Sequence, residues 1–124
     1  EWFAAASRGD SAMIDRHVST DPRSRLVGSD ATEWLQGGDS IASFLRGEVA
    51  GAGGAVKFAP SDVEGYSHGE VGWAATRLTI TLPDGHQVQP RWTAVMVRDA
   101  DAWKIVQTHA SIAVGNEEAG WGYE

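Results

Sequence analysis

The chain has 124 residues and 13.2 kDa, room for one domain with a self-sufficient core and not for two. It has no Cys, which excludes disulfides, thiolate metal sites and a Cys nucleophile; ten basic against 17 acidic residues, net −7, argue against nucleic acid or an anionic membrane surface as partner. No apolar run approaches the roughly 18 residues of a membrane helix and no charged-then-apolar signal segment opens the chain, so a cytoplasmic protein is expected.

Trp2, Phe3 and Ala6 share one face of a short helix that stops at Gly9. Asp10 is placed to cap a second helix, in which Met13, Ile14, His17 and Val18 recur at helical spacing. Asp21-Pro22 ends it, because a residue before proline is pushed out of the helical region. Residues 24–36 read as a short extended stretch with turns. Asp39 can cap a third helix with Ile41, Phe44, Leu45 and Val49 on its apolar face, ended by the glycines at 51, 53 and 54. Residues 56–67, 70–82, 87–98 and 103–114 then read as strands, with turns at Pro83-Asp84-Gly85 and Asp99 to Asp101. Helices first and hairpin-linked strands afterwards predict an α+β domain over 1–124, its sheet largely antiparallel. The acidic, Gly-rich tail 115–124 admits two readings: a mobile end, or one that docks Trp121 on a neighbouring subunit.

The strands do not alternate as a sheet with one wet face should. On 87–98, Val88, Trp92, Ala94 and Met96 are apolar, but so are Val95 and Val97. Helices can cover one face, and a homodimer through the sheet is the simplest cover for the other. With a three-residue turn near 100, Arg91 falls opposite His109 and Thr93 opposite Gln107, with Ser111 continuing the strip. Arg91, Thr93, Gln107, His109 and Ser111 then form the polar part of a dimer interface; the competing reading gives His109, with Arg91 and Ser111, a proton-shuttling or anion-holding role. The other face offers Trp92, Met96 and Thr108, to which the neighbouring strand adds Trp73 and Arg77. Large aromatics beside small residues make a pocket, against the plainer reading of a filled core with Arg77 at its edge. Asp30 and Glu33 lie beside Trp34, where burial would raise a carboxyl pKa toward that of a general base; a solvated loop acid is the plainer reading. His17 reads as a packed histidine, no His pair has metal-ligand spacing, and no glycine segment matches a phosphate or dinucleotide loop, so neither metal nor cofactor is expected.

The final hairpin, Arg91 to Arg98 and then Trp103-Lys104-Ile105-Val106-Gln107-Thr108-His109-Ala110-Ser111, resembles the nuclear transport factor 2-like superfamily, in particular its SnoaL-like and ketosteroid isomerase-like branch. Its Trp-x-Ile-Val-x-x-His-x-Ser pattern is also similar to the association domain of calcium/calmodulin-dependent kinases. Ala6-Ser7-Arg8-Gly9-Asp10 and Glu33-Trp34-Leu35-Gln36-Gly37 fit the same family. The resemblance implies a cystatin-like roll: a strongly curved sheet wrapped around three helices into a cone, with a pocket at its open end and dimerisation through the sheet. It implies no single activity, since the superfamily holds isomerases, cyclases, dehydratases, hydrolases and non-catalytic assembly domains. Aligned on the segment before the third helix, the isomerases' basic aspartate falls near Gly28, two positions before Asp30, and their first-helix tyrosine near Trp2. Arg77 resembles one pocket arginine of the association domains, while Ala94 and Ala110 stand at two others. The resulting expectation is a domain that grips a small hydrophobic molecule with Trp34, Trp73, Trp92 and Met96. Asp30 would serve as base, and Arg77 or Thr108 would steady negative charge. The acidic balance favours an uncharged or cationic ligand. A non-catalytic binding or dimerisation module is the alternative.

Overall fold

Short amphipathic segments at the start of the chain form two six-residue helices, α1 (Trp2–Ser7) and α2 (Ala12–His17), in a computed structural model that describes residues 1–122. The turn between them is tight because Gly9, at φ +74°, lets the backbone pass Gly54, whose nitrogen would lie 2.8 Å from a Cβ at position 9. Asp10 still contributes, accepting from the Ala12 N–H at 3.0 Å, although Ser11 is the N-cap. Strands β1 (Arg25–Val27) and β2 (Trp34–Gln36) form a small hairpin, followed by α3 (Gly38–Ala52). Asp39 lies in the first turn of α3 rather than at its cap, which is Gly37, and Gly53 closes the helix in the left-handed region.

The rest is sheet: β3 (Lys57–His68), β4 (Val71–Thr81), β5 (Gln87–Val88), β6 (Pro90–Asp99) and β7 (Ala102–Ile112). The order is β2-β1-β7-β6-β4-β3, with β5 beside β4; β1 runs parallel to β7 and the other pairs are antiparallel. Two bulges bend the long strands. One lies between Ser61 and Glu64, where Asp62 has φ +53° and Thr76 Oγ1 donates to the Ser61 carbonyl at 2.7 Å. The other inserts Val106 into β7 opposite the Val95–Met96 step. The curled sheet stays open, as a mixed sheet of seven strands around three helices.

The inner face meets the helices through Ala5, Ala6, Met13, Ile14, Val18, Leu26, Ile41 and Val49, with Phe44, Leu45 and Phe58 packed against them. Ser7 ties α1 to β3: its hydroxyl accepts from the Phe58 N–H at 2.8 Å, and Lys57 Nζ donates to the Ser7 and Gly54 carbonyls. At the neck, the backbone of α3 approaches residues 19–20 so closely that a Cβ at Gly38 would lie 2.7 Å from Thr20 Cα.

The register differs from the expectation by two residues. The turn after β6 has two residues, Ala100 and Asp101, and Val106 is extra, so Arg91 faces Ser111, Thr93 faces His109 and Val95 faces Gln107. The slip is even in number, so the residues stay on the same face. A parity correction applies to β4: Ala75 pairs with Thr93 and Arg77 with Arg91, which puts Trp73 and Arg77 on the outer face, opposite to Trp92. The cause is the three-residue loop Pro83-Asp84-Gly85, closed by the Leu82 N–H donating to the His86 carbonyl at 2.8 Å.

Candidate functional site

Between α3 and the inner face of the sheet lies a cavity of about 450 Å³. Its aromatic wall consists of Trp2 and Phe3 from α1, Phe44 from α3, Phe58 from β3 and Trp92 from β6. Phe3 and Trp92 meet edge to face, ring centres 5.0 Å apart, which fixes both against the cavity. Leu26, Val49, Leu78, Ile80 and Ala110 add aliphatic surface. These residues converge because α3 presents one apolar stripe every third or fourth position, while β4, β6 and β7 each present every second residue inward.

Polar groups are few in this wall. Thr108 is 7% exposed, paired in register with Ala94 and Leu26, both buried. Ser29, Glu33 and Glu48 complete the polar set; Ser29 and Glu48 are exposed, Glu33 half-buried, and these three mark the mouth. Glu33 Oε1 accepts from the Asp30 N–H at 3.1 Å, and the Glu33 carboxylate fills the space where a Cβ on Gly28 would project. Gly28 therefore leaves room for an acid that reaches in from five residues further along the chain. No Lys, Arg or His is among the described residues of the lining. Nor do three acidic or His side chains converge anywhere among the described residues to hold a metal ion.

The residues singled out from sequence fall into three places. Trp92 and Thr108 line the main cavity. Trp73 and Met96 line a second hollow of about 330 Å³ beside Tyr66 and Trp103, near the tip of the β3–β4 hairpin. Trp34 and Arg77 line neither. Trp34 is 66% exposed and stacks under the Arg25 guanidinium, 5.2 Å from the ring centre, because Leu26 and Leu35 take the inward positions of the β1–β2 hairpin. Arg77 is exposed on the outer face.

Asp30 is absent from the cavity wall and is exposed. Its carboxylate accepts from the Thr32 hydroxyl and from the Thr32 N–H at 2.9 Å, which holds its pKa below the ordinary carboxylate value. That is the opposite of the shift expected from burial. Arg91, Thr93, Gln107, His109 and Ser111 share the outer face, so His109 is away from the cavity. His17 packs edge-on against Trp2, ring centres 6.2 Å apart. The tail makes a turn closed by the Gly115 and Glu117 carbonyls, and Trp121 is exposed; Tyr123 and Glu124 lie outside the described residues.

Glu48, Phe3, Phe44 and Phe58 were not singled out as site residues. Glu48 had a readable signal: it stands three and four places after Leu45 and Phe44, an acid on an otherwise apolar helical stripe.

Comparison with solved structures agrees with this architecture. An NTF2-like protein of unknown function from Pseudomonas putida KT2440 superposes with a TM-score of 0.79 at 14% identity, over 94% of this chain and 82% of that one. A candidate calcium/calmodulin-dependent protein kinase type II association domain from Thiobacillus denitrificans gives 0.75 at 22% identity, covering 91% and 90%. A candidate ketosteroid isomerase from Shewanella frigidimarina gives 0.70 at 14%, covering 87% and 86%. At these identities the likeness shows the fold. No curated protein matches the chain. The SnoaL-like domain model matches residues 1–115, nearly the whole sequence, and the chain belongs to the SnoaL-like family.

Proposed function

We propose that this SnoaL-like domain binds a small hydrophobic molecule in its cone cavity and does so as a homodimer joined through the outer face of the sheet. The observation that carries the binding reading is the cavity: about 450 Å³, walled by five aromatic side chains, with polar groups confined to one inner hydroxyl and the rim. Filling it from the inner face is the direct test. Ala110→Trp should abolish saturable binding of a hydrophobic fluorescent probe while leaving the far-ultraviolet circular dichroism unchanged. Undiminished binding would sink the assignment to this cavity. Mass spectrometry of the protein under native conditions would identify any co-purified ligand.

Support for the dimer comes from the outer face. Val71, Trp73, Val95 and Val97 lie there beside Arg91, Thr93, Gln107, His109 and Ser111, and Trp73 is 44% exposed. The accessible surface is 7862 Å², above the roughly 6,400 Å² expected of a compact monomer of this mass. A monomer in analytical ultracentrifugation at micromolar concentration would exclude the dimer.

A second reading, a cofactor-independent isomerase, cyclase or hydrolase, rests on Glu33. Its carboxylate takes the space beside Gly28, where alignment with the isomerases puts their base, and it is the half-buried acid of the wall. Glu33→Gln would then abolish turnover of a hydrophobic substrate and Asp30→Ala would leave it intact. The reverse result would restore Asp30 as the base.

A further inference from the structure

The charge pattern around the cavity specifies its ligand more narrowly than hydrophobicity does. Two carboxylates, Glu33 and Glu48, stand at the mouth, and the described lining holds no basic side chain. Neither acid takes part in any of the ion pairs among the described residues. Glu33 spends one oxygen on the Asp30 N–H, and the Glu48 carboxylate, on α3, has no side-chain hydrogen bond among the described residues. An anionic ligand would meet this rim at a Coulombic disadvantage. An ammonium group in the cavity would lie in the attractive field of both carboxylates and against aromatic faces, which attract cations.

A second observation points to a ligand independently of the acids. Thr108 is 7% exposed and lines the cavity at its inner side, yet its hydroxyl forms no hydrogen bond among the described residues. The neighbouring Thr76 hydroxyl, by contrast, donates to the Ser61 carbonyl at 2.7 Å. The buried side-chain polar atoms without a hydrogen-bond partner among the described residues are His17 Nε2 and Ser24 Oγ; the Thr108 hydroxyl is not one of them, so it stays accessible from the cavity it lines, a donor and acceptor for a polar atom of a ligand.

We infer that the cavity takes a hydrophobic amine, protonated at neutral pH, whose ammonium lies at the Glu33–Glu48 rim and whose apolar body reaches a polar atom to Thr108. This inference rests on the binding reading above and narrows it to a class of ligand. The rim is solvent-exposed on one side, so the preference for a cation over a neutral isostere should be about tenfold, the scale of two partly screened ion pairs.

Three probes of one shape separate the two claims: tryptamine, its alcohol analogue tryptophol, and the acid indole-3-propionate, each titrated calorimetrically at low ionic strength. Tryptamine should bind about tenfold more tightly than tryptophol, with indole-3-propionate weakest. In the Glu33→Gln/Glu48→Gln double variant tryptamine and tryptophol should come within about twofold of each other while tryptophol keeps its affinity. Glu64→Gln, an exposed acid of β3 outside the cavity, should leave the ratio unchanged. Thr108→Val should weaken tryptamine and tryptophol alike; unchanged affinity would remove the inner anchor. Equal affinity for tryptamine and tryptophol in the wild type overturns the cation assignment and leaves the binding reading standing. A tenfold preference that survives in the double variant also overturns it, because the net charge of the protein would then be the cause. If none of the three binds to a folded protein, the cavity reading itself fails and this inference with it.

Discussion

The two faces of the long sheet are built from alternate residues of the same strands, yet they have opposite characters. Inward, Leu78, Ala94, Ile105 and Thr108 are buried and Trp92 is half-buried. Outward, Trp73, Arg77, Arg91, Thr93 and His109 are exposed. A single step along β4 moves from Leu78, 5% exposed, to Arg77 on the open side. The contrast teaches that aromatic content alone does not locate the site. Trp92 and Trp73 are similar in sequence context, but one walls a cavity under α3 and the other faces outward from the sheet.

The largest expected effect contrasts those two neighbours in β4. Leu78→Ala should cost about 2–5 kcal/mol in urea denaturation, because it removes buried apolar surface from the inner face and enlarges the cavity there. Arg77→Ala should stay within about 0.5 kcal/mol. Equal losses would erase the distinction between the faces. Next, Trp73→Asp should leave the fold intact and raise the dimer dissociation constant at least about 100-fold in sedimentation, since it puts a charge into a proposed apolar contact. An unchanged sedimentation coefficient would show that the outer face is not the interface. His109→Asp should weaken association less, by about tenfold, because His109 belongs to the polar strip where contacts are wetter.

The smallest effect concerns neither face but the neck before β1. Asp21 is lowered from 3.8 to about 2, first by the side-chain hydrogen bonds from Arg23 and then by the Arg23 backbone N–H. A depressed carboxyl pKa contributes stability above the unfolded value and loses it as the pH falls through the folded value. A slight fall in stability from about pH 4 to pH 2 is therefore expected, and Asp21→Asn should remove that limb of the curve.

Much of the architecture was legible because it depends on local signals. The three helices follow from apolar residues at helical spacing and from the breaks at Gly9 and Gly53, but α2 ends at His17, ahead of Asp21-Pro22, because Val18 turns extended to bridge Ile105; the long strands lie within a residue or two of their expected bounds, with the one expected over 87–98 divided at Gln89 into β5 and β6. The site was only partly legible. Trp92 and Thr108 were placed correctly on one face, but Trp73 and Arg77 were assigned to that face with the wrong parity. The information was in reach: a three-residue loop at Pro83-Asp84-Gly85 sets Leu82 against His86, and counting back from it pairs Arg77 with Arg91. Asp30 lies outside the cavity wall for a different reason. Its distance in sequence from the isomerases' base position was small, but the carboxylate turns to Thr32, while Glu33 folds back over Gly28.

The sequence by itself determined the order of helices and strands, the resemblance that marks the family, and, between bulges, which residues of a strand share a face. The elements and their faces follow patterns that repeat every two or 3.6 residues and the family follows a local motif, and both can be read along a single chain. The tertiary structure alone decided which strand faces act together and which acid reaches the cavity. Register across strands depends on the residue count of each turn and on bulges such as that at Val106, and a side chain such as Glu33 is aimed by the space Gly28 leaves open across the β1–β2 turn. Three-dimensional packing therefore separated the residues that wall the cavity from residues of the same kind on the other side of the sheet.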